Sequence, residues 1–424
     1  MLAVTPRGFK DVLPQEARWR ENITNTLKQT LSSWGYAPIE TPTLEVLEVL
    51  EQGGVIRKTP FRLFDTDNKL LVLRPDVTLP IARLVATRLD AASLPLRFRY
   101  VQPVFREEES LKAAAREYTQ IGIESIGMEG PAADAEVILL LVEALQGCGL
   151  IDFTISICTV GVLREMLACV LATGDVDEQW CAQMLAAFHA SNLVEIEQLL
   201  GKVQIDDQYR NALRMLGTIS GGREAIDAVR NLASPLACMD GLEDLALTWD
   251  IIEGLGQTDH VRVDFSVMSA FDYYTGLVIE AYATGVGTSI GGGGRYDRML
   301  EFYGKSAPAA GFAICLESVM QALLAQGCTD TVSETQLARC VECVLPLLES
   351  PASSGSDCVD ETKLGVDAIL CDEAKLGVDA ILCDEAMPRG EASARDTAIA
   401  NTVAVFSQAA GLRAAGTTVV LKTT

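Results

Sequence analysis

The sequence predicts an α+β protein, with an antiparallel sheet flanked by helices, a helical insertion and a small C-terminal α/β segment. Three observations carry this reading. Apolar and polar residues alternate with period two through the runs 96–101, 117–126, 262–267 and 277–282, as half-buried strands require. Helical periodicity marks 15–33 and 133–145, on either side of the first two runs. From about Val162 to Leu255 the pattern is helical throughout and carries little site chemistry.

Taken in order, the first helix is set by Trp19, Ile23, Leu27 and Leu31, with Gly35 as its stop. Ile39 to Glu45, with Pro42 inside it, reads as an edge strand. Leu70 to Leu73 is a short apolar strand, after which Arg74, Asp76 and Thr78 alternate. Two readings stay open there. A continuing strand puts the three polar residues on one face; otherwise Pro75-Asp76 begins the helix visible at Ile81 to Leu89. In the run 117–126, Tyr118, Gln120, Gly122 and Glu124 share a face. Gln120 and Glu124 then stand about 13 Å apart along one wall. Glu124 offers a buried acceptor to a cationic or imidazole ligand. Arg106, between the two strands, pairs with its neighbouring glutamates or with a ligand. Ile151 to Val160 is a further apolar strand.

The block from Arg262 to Glu317 reads as a pocket wall. Tyr273 and Tyr274 supply apolar faces with polar tips, suited to a small polar ligand with an aromatic part. Gly291 to Gly294 allows close approach of backbone. The competing reading is a plain hairpin with a flexible glycine turn.

Composition narrows the function classes. A chain of 424 residues has room for two or three domains. Its 58 acidic against 34 basic residues give a net charge of −24, which repels a phosphate backbone and disfavours general tRNA binding. No apolar run reaches membrane-spanning length; Val137 to Val142 is cut by Glu143. Arg7, Lys10 and Asp11 make the start unlike a signal peptide, so a cytoplasmic protein is expected. The 12 cysteines are scattered and only His189 and His260 are histidines. Cys340 and Cys343 have metal or redox spacing, but no second pair completes a site. Reduced thiols, no metal and no cofactor are therefore expected, and His189 reads as a surface or packed residue.

Phe271-Asp272-Tyr273-Tyr274-Thr275 and Gly292-Gly293-Gly294-Arg295-Tyr296-Asp297 resemble the histidine-specific signatures of histidyl-tRNA synthetases, a class II family. Gly311 to Glu317 resembles the start of motif 3, and Ile39 to Glu45 the dimer-forming motif 1. The strands flanking Phe105-Arg106 resemble motif 2, and Thr5 to Pro14 the synthetase start. The resemblance spans residues 5–325 and implies a class II core over 1–160 and 256–328, with 161–255 as a helical insertion. It implies a histidine site of Asp76, Thr78, Arg106, Gln120, Glu124, Tyr273 and Tyr274, with Arg106 standing at the place of an ATP-phosphate arginine. Asp76 is one methylene shorter than the family's glutamate. The family's arginine for the amino-acid carboxylate is Ser269 here, and its motif-3 arginine for ATP is Ser318.

With both arginines missing, the chain is similar to the regulatory subunits of ATP phosphoribosyltransferase, a synthetase-like family of histidine biosynthesis. That resemblance implies no catalytic residues, a self-dimer, a short-form ATP phosphoribosyltransferase catalytic subunit as partner, and L-histidine as feedback effector. The alternative is a histidyl-tRNA synthetase or a stand-alone histidine-activating paralogue. The last segment, 329–424, shows no basic face suited to an anticodon. It holds a linker-like stretch at 350–356, and residues 363–374 recur identically at 375–386; two copies do not make a solenoid. A helix at 398–410 and a short strand at 418–421 are expected after it.

Overall fold

The computed structural model describes residues 5–52, 60–89, 92–107, 115–268, 273–328 and 391–414. The chain divides into two units, Met1–Thr329 with Asp396–Thr424, and Asp330–Arg395. The second is described only over 391–395, part of a helix. Ser269, Asp272, the Cys340/Cys343 pair, the linker, the duplication and the strand expected at 418–421 lie outside the described residues.

Helix α1 (Pro14–Ser33) begins on a proline, whose missing N–H is no loss in a first turn, and buries Ile23, Leu27 and Leu31. Next come β1 (Ala37–Pro38), β2 (Leu44–Val46), α2 (Leu47–Gln52), β3 (Arg62–Phe64), β4 (Leu70–Leu73) and α3 (Thr78–Arg88). β5 (Leu96–Phe105) and β6 (Glu117–Ile126) pair antiparallel along their whole length. α4 (Gly130–Gly147) and β7 (Phe153–Thr159) follow, then six helices between Gly161 and Gly254 (α5 to α10), interrupted by β8 (Ser220–Gly221). β9 (Val261–Asp264), β10 (Leu277–Ala283), β11 (Gly291–Arg295), β12 (Ala309–Cys315) and α11 (Leu316–Ala325) complete the body, and α12 (Glu391–Ala414) is the last described helix.

The large sheet has the order β1-β5-β6-β12-β11-β10-β7-β9-β8, and a small one the order β2-β4-β3. From β5 to β7 every pairing is antiparallel. Parallel pairs occur at β1–β5 and β7–β9, so the sheet is mixed around an antiparallel centre. α4 packs on β12 with α1 and α10 beside it. Its Val137, Ile138, Leu140, Leu141 and Val142 are all buried, which is why its pattern is apolar nearly all round.

The competing hairpin reading fails, and the C-terminal helix has other bounds than the sequence reading gives it. The runs at 261–264 and 277–283 do not form a hairpin, because β7 lies between them. The glycine run is no turn: it is β11, a strand in the centre of the sheet. Glycine is required there by space. A Cβ on Gly293 would lie 2.2 Å from the Gly311 carbonyl oxygen and 2.7 Å from Phe312 Cα. The C-terminal helix is longer than 398–410. It buries Phe406 and Ala409 and sets the Arg413 guanidinium 3.7 Å above the Trp34 ring.

Replacing Gly293 by alanine forces two strands apart, so Gly293→Ala should cost about 1–3 kcal/mol. Gly287→Ala is the control, since a Cβ there meets nothing within 4 Å; it should stay within about 0.5 kcal/mol of wild type. Denaturation midpoints of the two variants check this, and equal shifts would contradict it.

Candidate functional site

The central strands and the start of α3 enclose a cavity of about 340 Å³, within the range of small-molecule sites. All seven residues singled out from sequence line it: Asp76, Thr78, Arg106, Gln120, Glu124, Tyr273 and Tyr274. The structure therefore brings together residues separated by nearly two hundred positions.

Of the two open readings the helix start holds and the continuing strand does not: Arg74 turns away to the Pro103 and Thr41 carbonyls, at 2.7 Å each. The strand stops at Leu73 and α3 begins at Thr78. The Asp76 carboxylate accepts the Leu79 backbone N–H at 3.0 Å, fixing the helix start. Yet the same turn faces the cavity, because the Thr78 hydroxyl donates to Glu124 Oε1 at 2.7 Å. The Tyr296 hydroxyl donates to Glu124 Oε2. Glu124 is only 2% exposed. Room for its carboxylate comes from its register partner, Gly311: a Cβ there would lie 2.4 Å from Oε2 and 2.2 Å from the Ile123 carbonyl.

Burial drives the Glu124 carboxyl well above the usual carboxylate range; the Thr78 hydroxyl opposes the rise, and Asp76 adds to it. Burial raises Asp76 too, opposed first by the Leu79 amide and then by Arg106. Burial also raises Tyr273 and Tyr274, so both phenols keep their protons and can donate. Tyr273 meets Tyr274 edge-on at 4.8 Å and Tyr296 at 6.0 Å between ring centres. Close-packed phenols beside the buried Glu124 carboxyl and the half-buried Asp76 make a socket suited to a cationic, planar ligand.

Arg106 sits at the end of the β5–β6 ladder. Its Nε donates to the Pro75 carbonyl at 2.9 Å, and its guanidinium lies 5.8 Å from the Tyr118 ring centre. Glu107 pairs with Arg116 at 3.3 Å. Glu108 and Glu109 lie outside the described residues.

Several lining residues escaped sequence reasoning, notably Tyr296, Glu280, Thr288, Ser289 and Cys315. Tyr296 lay inside the Gly-Gly-Arg-Tyr-Asp element, and Glu280 was the one charge in an otherwise apolar strand. Arg295 from that element turns away into the core, to Asp134 at 2.6 Å and Asp297 at 3.0 Å. Glu317 is bound by Arg20 at 2.7 Å and by the Thr119 N–H at 2.9 Å, while Ser318 lines the cavity. Among the described residues no three His, Cys, Asp or Glu side chains cluster as metal ligands. No described helix is long and apolar enough to cross a membrane.

This fold and cavity define a protein of the histidyl-tRNA synthetase type: a family profile described as histidyl-tRNA synthetase matches residues 8–319. The crystal structure of an ATP phosphoribosyltransferase regulatory subunit/histidyl-tRNA synthetase from Bacillus halodurans C superposes with a TM-score of 0.71 at 31% identity, over 76% of this chain and 84% of that one. The ATP phosphoribosyltransferase regulatory subunit of Moorella thermoacetica is 36% identical over 330 residues, 77% of this chain and 83% of the relative. That of Bacillus subtilis is 35% identical over 320 residues, 75% of this chain and 81% of the relative. The chain belongs to the ATP phosphoribosyltransferase regulatory subunit family.

The raised Glu124 carboxyl has a signed consequence for stability. Below the unfolded glutamate value, about 4.3, both states are protonated and the burial costs nothing. As pH rises from there toward the folded value, the unfolded chain ionises this glutamate while the fold holds it protonated, so the ligand-free fold loses stability increasingly. The neutral isostere escapes that cost, so the melting temperature of Glu124→Gln minus that of wild type should grow from pH 4 to pH 8. A pH-independent difference would contradict the burial argument.

Proposed function

We propose that this chain is the non-catalytic regulatory subunit of an ATP phosphoribosyltransferase, working in the cytoplasm at the first step of histidine biosynthesis. The observation that carries the reading is the cavity itself, with Asp76 and Thr78 at the start of α3 brought against Gln120, Glu124, Tyr273 and Tyr274. In this reading L-histidine is the ligand, its amino group toward Asp76, Thr78 and Gln120, and its imidazole toward Glu124 and the tyrosines. The carboxyls of Glu124 and Asp76, which resist ionisation alone, accept a cation readily, because the ligand's charge offsets what desolvation opposes.

The chain would act by linkage. Histidine shifts activity elsewhere only by binding two arrangements of the assembly with different affinity. The second site lies on a short-form catalytic subunit, which this chain activates and through which histidine inhibits. A dimer of this chain, formed around motif 1 near Pro42, would hold the catalytic chains. The insertion 161–255 leaves the core after β7 and returns to it at β9, two adjacent parallel strands, which supports a core of 1–160 and 256–328 with a module set into it. The residues at 269 and 318 are serines; hydroxyls do not replace guanidinium forks in binding carboxylate and phosphate. Neither ATP–pyrophosphate exchange nor tRNA charging is expected.

Mixing this protein with the purified catalytic chain should raise the rate of phosphoribosyl-ATP formation, and histidine should reverse the gain. Glu124→Ala should keep the activation and weaken histidine binding by about 3 kcal/mol, since it strands buried donors. No activation together with no co-elution on a sizing column would end this reading. Histidine-dependent pyrophosphate exchange would favour the synthetase alternative.

A further inference from the structure

The helical insertion carries a pair of reactive groups remote from the cavity. Of the cysteines among the described residues, Cys169 and Cys238 have their sulfurs 3.9 Å apart. Cys169 stands on α5 (Gly161–Thr173), and Cys238 in the turn that joins α9 (Arg223–Ala233) to α10 (Leu242–Gly254). None of the cavity's described lining residues lies between 161 and 255.

Backbone on both sides holds the two thiols in place. Gly161, Glu165 and Cys169 recur every four residues and so form one stripe along α5. The turn runs over that stripe. The Asp240 backbone N–H donates to Glu165 Oε2 at 2.9 Å. A Cβ on Gly161 would lie 2.4 Å from the Asp240 carbonyl oxygen. Cys238 is fixed by its own N–H, which donates to the Ala233 carbonyl at 3.2 Å. A disulfide needs its sulfurs at about 2.0 Å. The pair must therefore close by about 2 Å, which rotation about the two Cα–Cβ bonds can supply.

The two cysteines differ in access. Cys169 is half-buried and Cys238 is wholly buried. Burial first, and then Cys169, push the Cys238 thiol up to about 12, so it keeps its proton in the resting pair. The Tyr209 phenol stands beside both sulfurs and can donate to a thiolate. An oxidant in solution meets Cys169 first, and Cys238 is placed to resolve what forms there.

We propose that Cys169 and Cys238 are a reversible redox pair whose oxidant is a low-molecular-weight disulfide. The Cys169 thiol loses its proton, and its sulfur attacks one sulfur of that disulfide. A mixed disulfide forms, the small molecule's own S–S bond breaks, and the first small thiolate leaves and takes up a proton. Cys238 then gives up its proton and attacks the Cys169 sulfur, expelling the second small thiol. Two protein thiols and one small disulfide become one protein disulfide and two small thiols. The new bond joins residues 69 positions apart and staples the helices between them, which stabilises the insertion by restricting its unfolded chain. The pair works whatever the cavity binds.

Oxidised glutathione is the probe, applied to the full chain, with free thiols then alkylated in denaturant before peptide mapping. In wild type the Cys169 and Cys238 peptides should appear cross-linked, with the loss of two hydrogen atoms, and dithiothreitol should restore both thiols. Cys238→Ser should stop at one glutathione on Cys169, and Cys169→Ser should leave Cys238 reduced. Oxidation should raise the melting temperature of wild type by about 3 °C or more, and that of neither variant. Cys181→Ser, which removes a half-buried thiol on the next helix, should keep both the cross-link and the rise. Two wild-type results, which need no variant to fold, overturn the proposal: Cys169 retaining glutathione while Cys238 is still alkylated, or both thiols still alkylated under oxidant that has modified Cys181.

Discussion

The Glu124 carboxylate is the constraint around which the site is built. A carboxylate 2% exposed is tolerable only when its oxygens are bonded. One is bonded by Thr78 at the start of α3 and the other by Tyr296 beyond β11. Those two contacts bring three stretches of chain, around residues 78, 124 and 296, to one point. They also dictate the glycine at 311, because a side chain there would occupy the space of the carboxylate. The glycines of β11 follow the same logic on the next strand. A Cβ at Gly294 would lie 2.8 Å from the Tyr274 ring, so the strand gives up side chains for aromatic groups to pack against its backbone.

The same geometry explains what the sequence made legible. β6 and β4 fall where alternation and apolarity place them, 117–126 and 70–73, because each has one clear face. The shared face of Gln120 and Glu124 follows from a period of two, which survives any tertiary context. Glycines were ambiguous for the opposite reason. Having no side chain, Gly291 to Gly294 carry no periodicity, and only the closeness of Gly311 and Phe312 makes a central strand of them. Tyr296 and Arg295 are adjacent, yet one enters the cavity and the other pairs with Asp134 in the core. That choice is made by partners 161 or more positions away, beyond the reach of local pattern. Glu280 was hidden because alternation marks a face, without saying whether that face meets solvent or a cavity.

Motif 3 shows how a synthetase-like frame persists while its chemistry moves. Glu317 is tied to Arg20 of α1 and to the backbone of β6, so it braces the helix against the sheet. Ser318 faces the cavity in its place. Arg295, in one of the two elements that resemble the histidine signatures, is likewise bonded within the frame, to Asp134, Asp297 and the Met128 carbonyl. A motif can thus place some of its residues in the frame and others at the cavity.

Net charge and pocket charge act on different length scales, and their agreement in sign is not redundancy. At physiological salt the field of exposed charges fades within about 8 Å. The surplus of 24 negative charges therefore governs what approaches the surface, and it opposes a polyanion the length of a tRNA. Inside the cavity, where water is largely excluded, screening is weak and the few local groups decide. Among the described residues, three carboxyl groups and one guanidinium line it. Such a balance favours cationic groups over a polyanion. The charge that keeps polyanions from the surface and the charge that selects within the cavity are thus set by different residues, and each can change without the other.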